Sequence, residues 1–251
     1  WTLAPFNTRA LIASGFAPLA ATLRCQLRHA RLLRIDHIPG FERAFWVPDT
    51  GVPGGYVAMP RDAMLAVVRI EAARVGAIVV GEDLGNIPHG LRGALGRSGI
   101  LGCRVAMFEQ GLAAEDYPQP VLAAFGTHDL PTWLGWRAGR DIDLRETLGS
   151  IDAPTAAAAR KERQADVARM DAALGGADGD VDRLHAYLAR TPARLVALQI
   201  EDILGVADQP NLPGTVDEYP NWRHPLTVAA DDLATDMRLA RAASLMAQAG
   251  R

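Results

Sequence analysis

The sequence predicts an α/β fold built on a parallel β-sheet. Short apolar runs of strand length alternate with longer segments whose apolar residues recur at helical spacing. The segment Ala77–Val80 is apolar throughout, which is typical of a strand buried on both faces. The order strand, loop, helix, strand recurs at the spacing of βα units, in which successive strands run parallel.

Strands are predicted to begin at Leu32, Ala77, Cys103, Val121 and Leu195. The helical pattern predicts helices at Phe16–Ala30, Arg61–Val75 (with Gly76 as its C-cap), Pro88–Arg97, Arg145–Leu174 and Val181–Arg190. The segment 39–60 is rich in Pro, Gly and aromatic residues and is predicted to be a loop over a cleft. A hairpin packed on its own small core is compatible with the same pattern. Residues 225–249 are predicted to form a C-terminal amphipathic helix.

Composition excludes several classes of partner. The chain has 251 residues, is 49% hydrophobic and carries a net charge of −3, which is ordinary for a globular protein. A charge so close to zero gives no argument for nucleic acid or an anionic membrane, and no apolar run is long enough to span a bilayer. Cys25 and Cys103 lie far apart in apolar settings, so we predict buried thiols, with neither a disulfide nor a metal site.

Three of the predicted strands end in a carboxylate. Asp36 follows the strand at Leu32, Glu82 the strand at Ala77, and Asp129 the strand at Val121. Parallel strands present their C-terminal ends on one face of the sheet, so these carboxylates are expected to meet in space.

Glycosyl transfer is one chemistry that requires several carboxylates in a cleft. A retaining mechanism needs an ionised carboxylate as nucleophile and a protonated one as acid and then base. Arg34 and Asp36 are two residues apart on a strand and share a face, which keeps Asp36 ionised and suits it to be the nucleophile. Glu82 suits the acid/base because Asp83 and the apolar strand favour its protonated form.

The remaining polar and aromatic residues suit sugar binding. Asp129 would bind sugar hydroxyls, with His128 beside it as a further hydroxyl partner. Trp46, in the aromatic loop, would stack on a sugar face.

A divalent metal site is the competing interpretation. The pairs Asp36-His37, Glu82-Asp83 and His128-Asp129 contain enough carboxylates and imidazoles to hold an ion. No compact ligand spacing such as His-x-x-x-His is present, but residue types alone leave both interpretations open.

Four motifs carry a resemblance to a known family. They are Arg34-Ile35-Asp36-His37, Gly81-Glu82-Asp83-Leu84-Gly85, Thr127-His128-Asp129-Leu130-Pro131-Thr132, and Asn211-Leu212-Pro213-Gly214-Thr215 followed by Asn221-Trp222-Arg223. In this order and at these gaps, the chain resembles the C-terminal part of the 4-alpha-glucanotransferases (amylomaltases or disproportionating enzymes) of glycoside hydrolase family 77, from about Trp1 to Trp222.

The resemblance implies a (β/α)8 TIM barrel. The five predicted strands would be its fourth to eighth, so the chain would be about five βα units with helical and loop insertions. We therefore expect residues 1–251 to form one partial catalytic barrel domain, with 39–60 over the cleft, 141–190 as a helical insertion and 225–249 as a closing helix. The family's first three strands have no counterpart here, and we expect this segment alone to be inactive.

The resemblance also implies an activity and a set of site residues. A retaining double displacement would transfer α-1,4-glucan segments from a maltooligosaccharide donor to glucose or another glucan, without metal or organic cofactor. Asp36, Glu82 and Asp129 would be catalytic. The substrate-binding residues would be Arg34, His37, Trp46, His128 and Asn211. We expect a cytoplasmic location. The alternatives are an α-glucan hydrolase of the α-amylase clan and a non-catalytic α-glucan-binding fragment.

Overall fold

The computed structural model describes residues 4–251. The first three residues of the predicted domain lie outside this described part. The chain divides into two compact units. The first extends to Cys103 and includes Pro120–Leu122, and the second comprises Arg104–Gln119 and Ala123–Arg251.

The first unit contains helices and strands in alternation. In chain order they are α1 (Thr8–Ala13), α2 (Ala17–Leu27), β1 (Leu32–Ile35), β2 (Arg43–Trp46), β3 (Gly55–Ala58), α3 (Arg61–Val75), β4 (Ile78–Gly81) and α4 (Leu91–Arg97). The prediction of α3 is confirmed at both ends, with Gly76 as the C-cap. A short 3-10 turn, Ile38–Phe41, directly follows the segment that contains Asp36.

Strands β1 and β4 form a two-stranded parallel sheet. Their register pairs Leu32 with Ile78 and continues to Ile35 with Gly81. Side chains from α2, α3 and α4 form the core beside this sheet; among them are Leu19, Leu23, Leu27, Leu65, Val68, Leu91 and Leu95. This core fixes both strands in place, so the residues that follow each strand have defined positions.

The prediction that Cys25 is buried is wrong, because its side chain is exposed. The buried face of α2 carries Leu19, Leu23 and Leu27 at helical spacing. Cys25 lies two residues from Leu23 and from Leu27, which places it on the opposite side of the helix. Cys103 is buried as predicted.

Segment 39–60 contains an antiparallel hairpin formed by β2 and β3. Arg43 pairs with Ala58 and Trp46 with Gly55. Phe45 and Tyr56 face each other across the hairpin with ring centroids 5.1 Å apart, and both are more than half exposed. The loop that the composition predicted therefore has regular structure of its own.

Two strands, β5 (Gly102–Val105) and β6 (Val121–Ala124), cross the division between the units. The second unit continues with α5 (Trp133–Ala138), α6 (Arg140–Thr147), α7 (Ala153–Leu174), α8 (Val181–Arg190), β7 (Leu195–Ala197), α9 (Ile200–Leu204) and α10 (Met237–Gln248). Strands β5, β6 and β7 form a three-stranded sheet in that order. All five predicted strands are thus present, within one residue of the predicted starts.

Several predicted helical or strand segments differ in extent from the structure: α2 ends at Leu27, not at Ala30, and α4 begins at Leu91, not at Pro88. The segment Arg145–Leu174 is two helices, α6 and α7, because Asp152 caps a new N-terminus and Pro154 occupies its first turn. The apolar pattern predicts a strand from Leu195 to Ile200, but the strand ends at Ala197 and Ile200 begins α9. The closing helix begins at Met237, not at residue 225, because Asp236 accepts the N–H of Arg238 as an N-cap. None of the helices described in residues 4–251 is both long and apolar enough to cross a membrane.

The substitution Gly81→Ala is expected to destabilise the first unit by about 1–3 kcal/mol. A Cβ at position 81 would lie 3.1 Å from two carbons of the fully buried Ile38 side chain. The matched control is Gly96→Ala in α4, where no atom lies within 4 Å of the added Cβ. Since alanine favours helix, that variant should gain roughly 0.5–1 kcal/mol. Urea unfolding of both variants and of the wild-type protein tests this expectation. Equal free energies of unfolding for Gly81→Ala and the wild type would show that Ile38 shifts at no cost in free energy.

Candidate active site

The parallel register of β1 and β4 places Asp36 beside Glu82. Ile35 pairs with Gly81, so Asp36 and Glu82 are the next residues on adjacent strands. The ladder continues to this point, because the Glu82 N–H donates to the Ile35 carbonyl at 2.9 Å. Two of the three predicted catalytic carboxylates are therefore neighbours at the C-terminal ends of parallel strands.

His37 ends the ladder and fixes the orientation of Glu82. His37 adopts a left-handed φ of 46°, and its N–H donates to Oε2 of the Glu82 side chain at 2.8 Å. The next N–H, that of Ile38, donates to the Glu82 carbonyl at 3.1 Å. Oε1 of Glu82 accepts the N–H of Leu84 at 2.8 Å. Two backbone donors therefore hold the nearly buried carboxyl group from both sides.

Asp36 has a different environment from Glu82. Its side chain is 70% exposed, and Oδ1 lies 2.7 Å from Nη1 of Arg34. The same-face ion pair that the Arg-x-Asp spacing predicts is therefore present. The site combines one accessible carboxylate, paired with a cation, and one carboxyl group held by the backbone.

The side chain of Asp83 forms hydrogen bonds within the fold and points away from the side chain of its neighbour Glu82. Its carboxylate is buried, with Oδ1 accepting the Cys103 N–H at 2.6 Å and Oδ2 accepting from Nε of Arg92 at 2.8 Å. Successive residues of an extended chain point to opposite faces, so Glu82 and Asp83 diverge. Burial raises the pKa of the adjacent Cys103 thiol to about 11, which keeps the thiol protonated.

Asp129 belongs to a second cluster, in the second unit. Its Oδ1 accepts from Nδ2 of Asn211 at 2.6 Å, and its Oδ2 lies 3.4 Å from Nε2 of His128. Asn221 holds the loop that carries Asn211, because its Oδ1 accepts the Leu212 N–H at 2.8 Å. The structure thus brings three predicted site residues together here. That all three carboxylates share one cleft stays a prediction.

Trp222, which the predicted set lacked, lies beside His128. It has a left-handed φ of 61°, the residue is 65% exposed, and its ring centroid lies 5.3 Å from that of His128. Left-handed backbone in a bulky residue is uncommon and is found preferentially at functional sites. In the sequence, the position of Trp222 in the motif Asn221-Trp222-Arg223 was the one indication of its importance. Trp46, which was predicted, ends β2 and is half-buried.

A cavity of about 400 Å³ lies beside His128 in the second unit. Its walls are formed by Thr127, His128, Gln199, Ile200, Glu201, Pro210, Trp222, His224 and Leu226. This volume is in the range that small ligands occupy in proteins, which is about 300–1,000 Å³. For metal ions, residues 4–251 contain no group of three or more His, Cys, Asp or Glu side chains placed to hold one.

Comparison with known proteins identifies the family. The sequence model of the family described as 4-alpha-glucanotransferase matches residues 1–230. The chain belongs to the 4-alpha-glucanotransferase family. The 4-alpha-glucanotransferase of Mycobacterium tuberculosis is 39% identical over 267 aligned residues, which cover 96% of this chain and 37% of that protein. The protein of the same name from Haemophilus influenzae is 32% identical, over 88% of this chain and 35% of its own length.

Solved structures of the family have the same fold. Amylomaltase from Corynebacterium glutamicum superposes with a TM-score of 0.87 at 30% identity, over 98% of this chain and 40% of that one. Amylomaltase from Streptococcus agalactiae, solved in complex with acarbose, has a TM-score of 0.75 at 18% identity, over 98% of this chain and 47% of that one. The predicted α/β class and the family resemblance are confirmed. The chain spans less than half the length of these relatives.

In this glucanotransferase-family chain, a buried carboxyl group anchors the segment that follows the Asp129 motif. Oδ1 of Asp202, on α9, accepts the N–H of Trp133 at 2.6 Å, at the first residue of α5. Oγ1 of Thr132 donates to the carbonyl of Ala207 at 3.1 Å. These bonds tie the end of the motif to the chain segment that carries Gln199 and Glu201. Burial raises the pKa of Asp202 to about 7.

The substitution Asp202→Asn is expected to stabilise the second unit increasingly as the pH rises from 4 to 8. The folded-state pKa of about 7 exceeds the ordinary value of 3.8, so the folded protein binds more protons than the unfolded chain in this window. The contribution of Asp202 to wild-type stability therefore falls with rising pH, whereas asparagine keeps an acceptor for the Trp133 N–H and does not titrate. The difference between variant and wild type should widen by roughly 1–4 kcal/mol.

Urea unfolding followed by the fluorescence of the buried Trp133 and Trp136 measures this difference. Asp217→Asn, at an exposed aspartate of the same unit, is the matched control and should leave the pH dependence unchanged. Parallel stability profiles for wild type and Asp202→Asn would contradict the expectation.

Proposed function

We propose that the protein containing this chain is a retaining 4-alpha-glucanotransferase. The observation that carries the proposal is the placement of Asp36 beside Glu82 at the ends of two parallel strands, in different environments. A double displacement requires such a pair, with one carboxylate free to attack and a second held in position to transfer a proton. Membership of the family supports the same activity.

Asp36 is the proposed nucleophile. Its side chain is exposed, and the guanidinium of Arg34 orients it and balances its charge. One of its oxygens attacks the anomeric carbon of the donor glucan, the bond to the leaving oxygen breaks, and a glycosyl-aspartate forms.

Glu82 is the proposed acid and base. It gives its proton to the departing sugar oxygen. In the second step it takes a proton from the acceptor hydroxyl, whose oxygen bonds to the anomeric carbon as the bond from that carbon to Asp36 breaks, so that Asp36 is released as a carboxylate and Glu82 is protonated again. The hydrogen bonds from His37 and Leu84 restrict the carboxyl group to one orientation, which lowers the entropic cost of reaching the reactive geometry.

The second cluster is assigned to binding. Asp129 accepts hydrogen bonds from sugar hydroxyls, with Asn211 holding it and His128 as a further hydroxyl partner. His37 and Trp46 are proposed as additional substrate contacts. The substrates are α-1,4-glucans and maltooligosaccharides as donors, with glucose or another glucan as acceptor. A cytoplasmic location stays a prediction.

We further infer that β1, β4, β5, β6 and β7 correspond to the fourth to eighth strands of a (β/α)8 barrel. The observed strands support this assignment, because each begins within one residue of its predicted start. The similarity to the C. glutamicum amylomaltase along nearly the whole chain supports it too. The helices of residues 141–190 would then be an insertion in that barrel.

The complete gene product is expected to disproportionate maltotriose, giving glucose and longer maltooligosaccharides without added cofactor. Chromatography of the products, with and without added glucose, measures transfer. Because glucose competes as acceptor, it should shorten the product distribution. Products no longer than the substrate would instead identify a hydrolase, and binding without turnover would identify a non-catalytic glucan-binding protein.

The variants Asp36→Asn and Glu82→Gln are expected to fail at different steps of the reaction. Asp36→Asn should lower the transfer rate more than about a thousand-fold with any donor, because no covalent intermediate can form. Glu82→Gln should still react with an α-glycosyl fluoride, whose leaving group needs no proton, and should accumulate an adduct on Asp36. Peptide mass mapping locates the adduct, and one on Glu82 would reverse the assignment. The exposed Asp49→Asn is the control and should keep wild-type rates.

A further inference from the structure

A long loop without helix or strand brings Asn211 to Asp129. Among the described residues, those from 205 to 229 form neither a helix nor a strand. A segment of this length without regular structure is usually either functional or disordered. Residues 209–222 are here called the Asn211 loop. Side chains of this loop hydrogen-bond to its own backbone, which gives the loop a defined shape.

Asn221 makes three hydrogen bonds across the Asn211 loop. Its Oδ1 accepts the Leu212 N–H at 2.8 Å, and its Nδ2 donates to the carbonyl of Thr215 at 3.1 Å and to Oγ1 of Thr215 at 2.9 Å. Oγ1 of Thr215 donates in turn to the Leu212 carbonyl at 2.7 Å. One side chain therefore fixes both ends of the turn that directly follows Asn211.

The backbone of Asn211 and of its neighbour Pro210 is held as well. Nε2 of Gln209, whose side chain is buried, donates to the Asn211 carbonyl at 2.6 Å. The Trp222 N–H donates to the Pro210 carbonyl at 2.8 Å, which joins the two ends of the loop. Together with the Asn221 side chain, these bonds restrict the position of Asn211.

Asn211 presents its amide to the carboxylate of Asp129. Nδ2 of Asn211 donates to Oδ1 of Asp129 at 2.6 Å, a bond of the strong, charge-assisted kind. The Asp129 side chain is 41% exposed, so it needs such a partner to keep one orientation. In glycoside hydrolysis, hydrogen bonds to a sugar hydroxyl strengthen in the transition state. The orientation of Asp129 therefore bears on the rate of the reaction.

We propose that Asn221 is a positioning residue for the transfer reaction and acts through Asn211. Asn221 fixes the Asn211 loop, the loop fixes the Asn211 amide, and the amide holds Asp129 toward the sugar. Because this order exists before the substrate binds, less entropy is lost on reaching the transition state. The inference rests on the proposed function, because it assumes that Asp129 binds the sugar that is transferred.

A double-mutant cycle between Asn221 and Asn211 tests the proposal. Asn221→Ala, Asn211→Ala and the double variant are made in the complete gene product, and initial rates of glucose release from maltotriose give kcat and KM. Each single substitution is expected to lower kcat about ten-fold and to change KM less than about two-fold, because the contact it disturbs acts mainly in the transition state. In the Asn211→Ala background, Asn221→Ala should lower kcat by no more than about two-fold, because the contact through which it acts is already absent.

A milder variant and a matched control accompany the cycle. Thr215→Val removes the hydroxyl that accepts from Asn221 and is expected to lower kcat about three-fold, again only while Asn211 is present. The control is Asn7→Ala, which removes the N-cap of α1 in the first unit and should leave kcat and KM unchanged. Thermal unfolding shows whether each variant is folded at the assay temperature. If Asn221→Ala does not fold, the cycle of Thr215→Val with Asn211→Ala decides.

Losses in kcat that add in full would overturn the proposal, because Asn221 would then act by a route other than Asn211. An unchanged kcat in folded Asn221→Ala or Asn211→Ala would overturn it as well. A change confined to KM would also contradict it, since the loop would then support the binding of substrate and not the transition state.

Failure of this inference and failure of the proposed function give different results. If only the inference is wrong, the wild-type protein disproportionates maltotriose, and the Asn221 and Asn211 substitutions are either silent or additive. If the function itself is wrong, the wild-type protein releases no glucose from maltotriose and forms no longer maltooligosaccharide.

Discussion

The hydrogen bond from the His37 backbone to the Glu82 side chain is the interaction on which the candidate active site depends. It forms only because β1 and β4 share the register that pairs Ile35 with Gly81. A shift of one residue would reverse the faces of every side chain on one strand and separate the two carboxyl groups. The apolar packing of α2 and α3 against this small sheet therefore determines the geometry of the site.

The same interaction explains why two carboxyl groups on adjacent strands have different surroundings. His37 has a left-handed conformation, and its N–H donates to the carboxyl group of Glu82, while the next N–H, that of Ile38, donates to the Glu82 carbonyl. Asp36, one residue earlier, is left at the surface with Arg34. The end of the β1–β4 ladder therefore carries a fixed carboxyl group and an accessible one side by side.

Much of this could be predicted from the sequence, because it follows from periodicity and from short-range rules. The five strand positions, the extent of α3 and the pairing of Arg34 with Asp36 depend on residues close together in the chain. The motifs also identified Asp129, His128 and Asn211, which the structure joins in one cluster. The rest depends on tertiary contacts: no local pattern shows that Asp83 faces Cys103, or that Gln199 and His224 lie in one cavity wall.

Because the side chains of Glu82 and Asp83 have different surroundings, the motif Gly81–Gly85 combines two independent kinds of information about a related sequence. The two adjacent acidic residues meet two separate constraints: Glu82 is the proposed acid and base, whereas Asp83 accepts hydrogen bonds from the Cys103 N–H at the start of β5 and from Arg92. Selection can relax the first without touching the second. A relative that has lost its chemistry would then keep Asp83 and most of the motif, and a search that scores the motif as a unit would still count it as an enzyme. Under the proposed mechanism, the residue at position 82 reports on activity, whereas the residue at position 83 reports on the hydrogen bonds that hold this part of the fold.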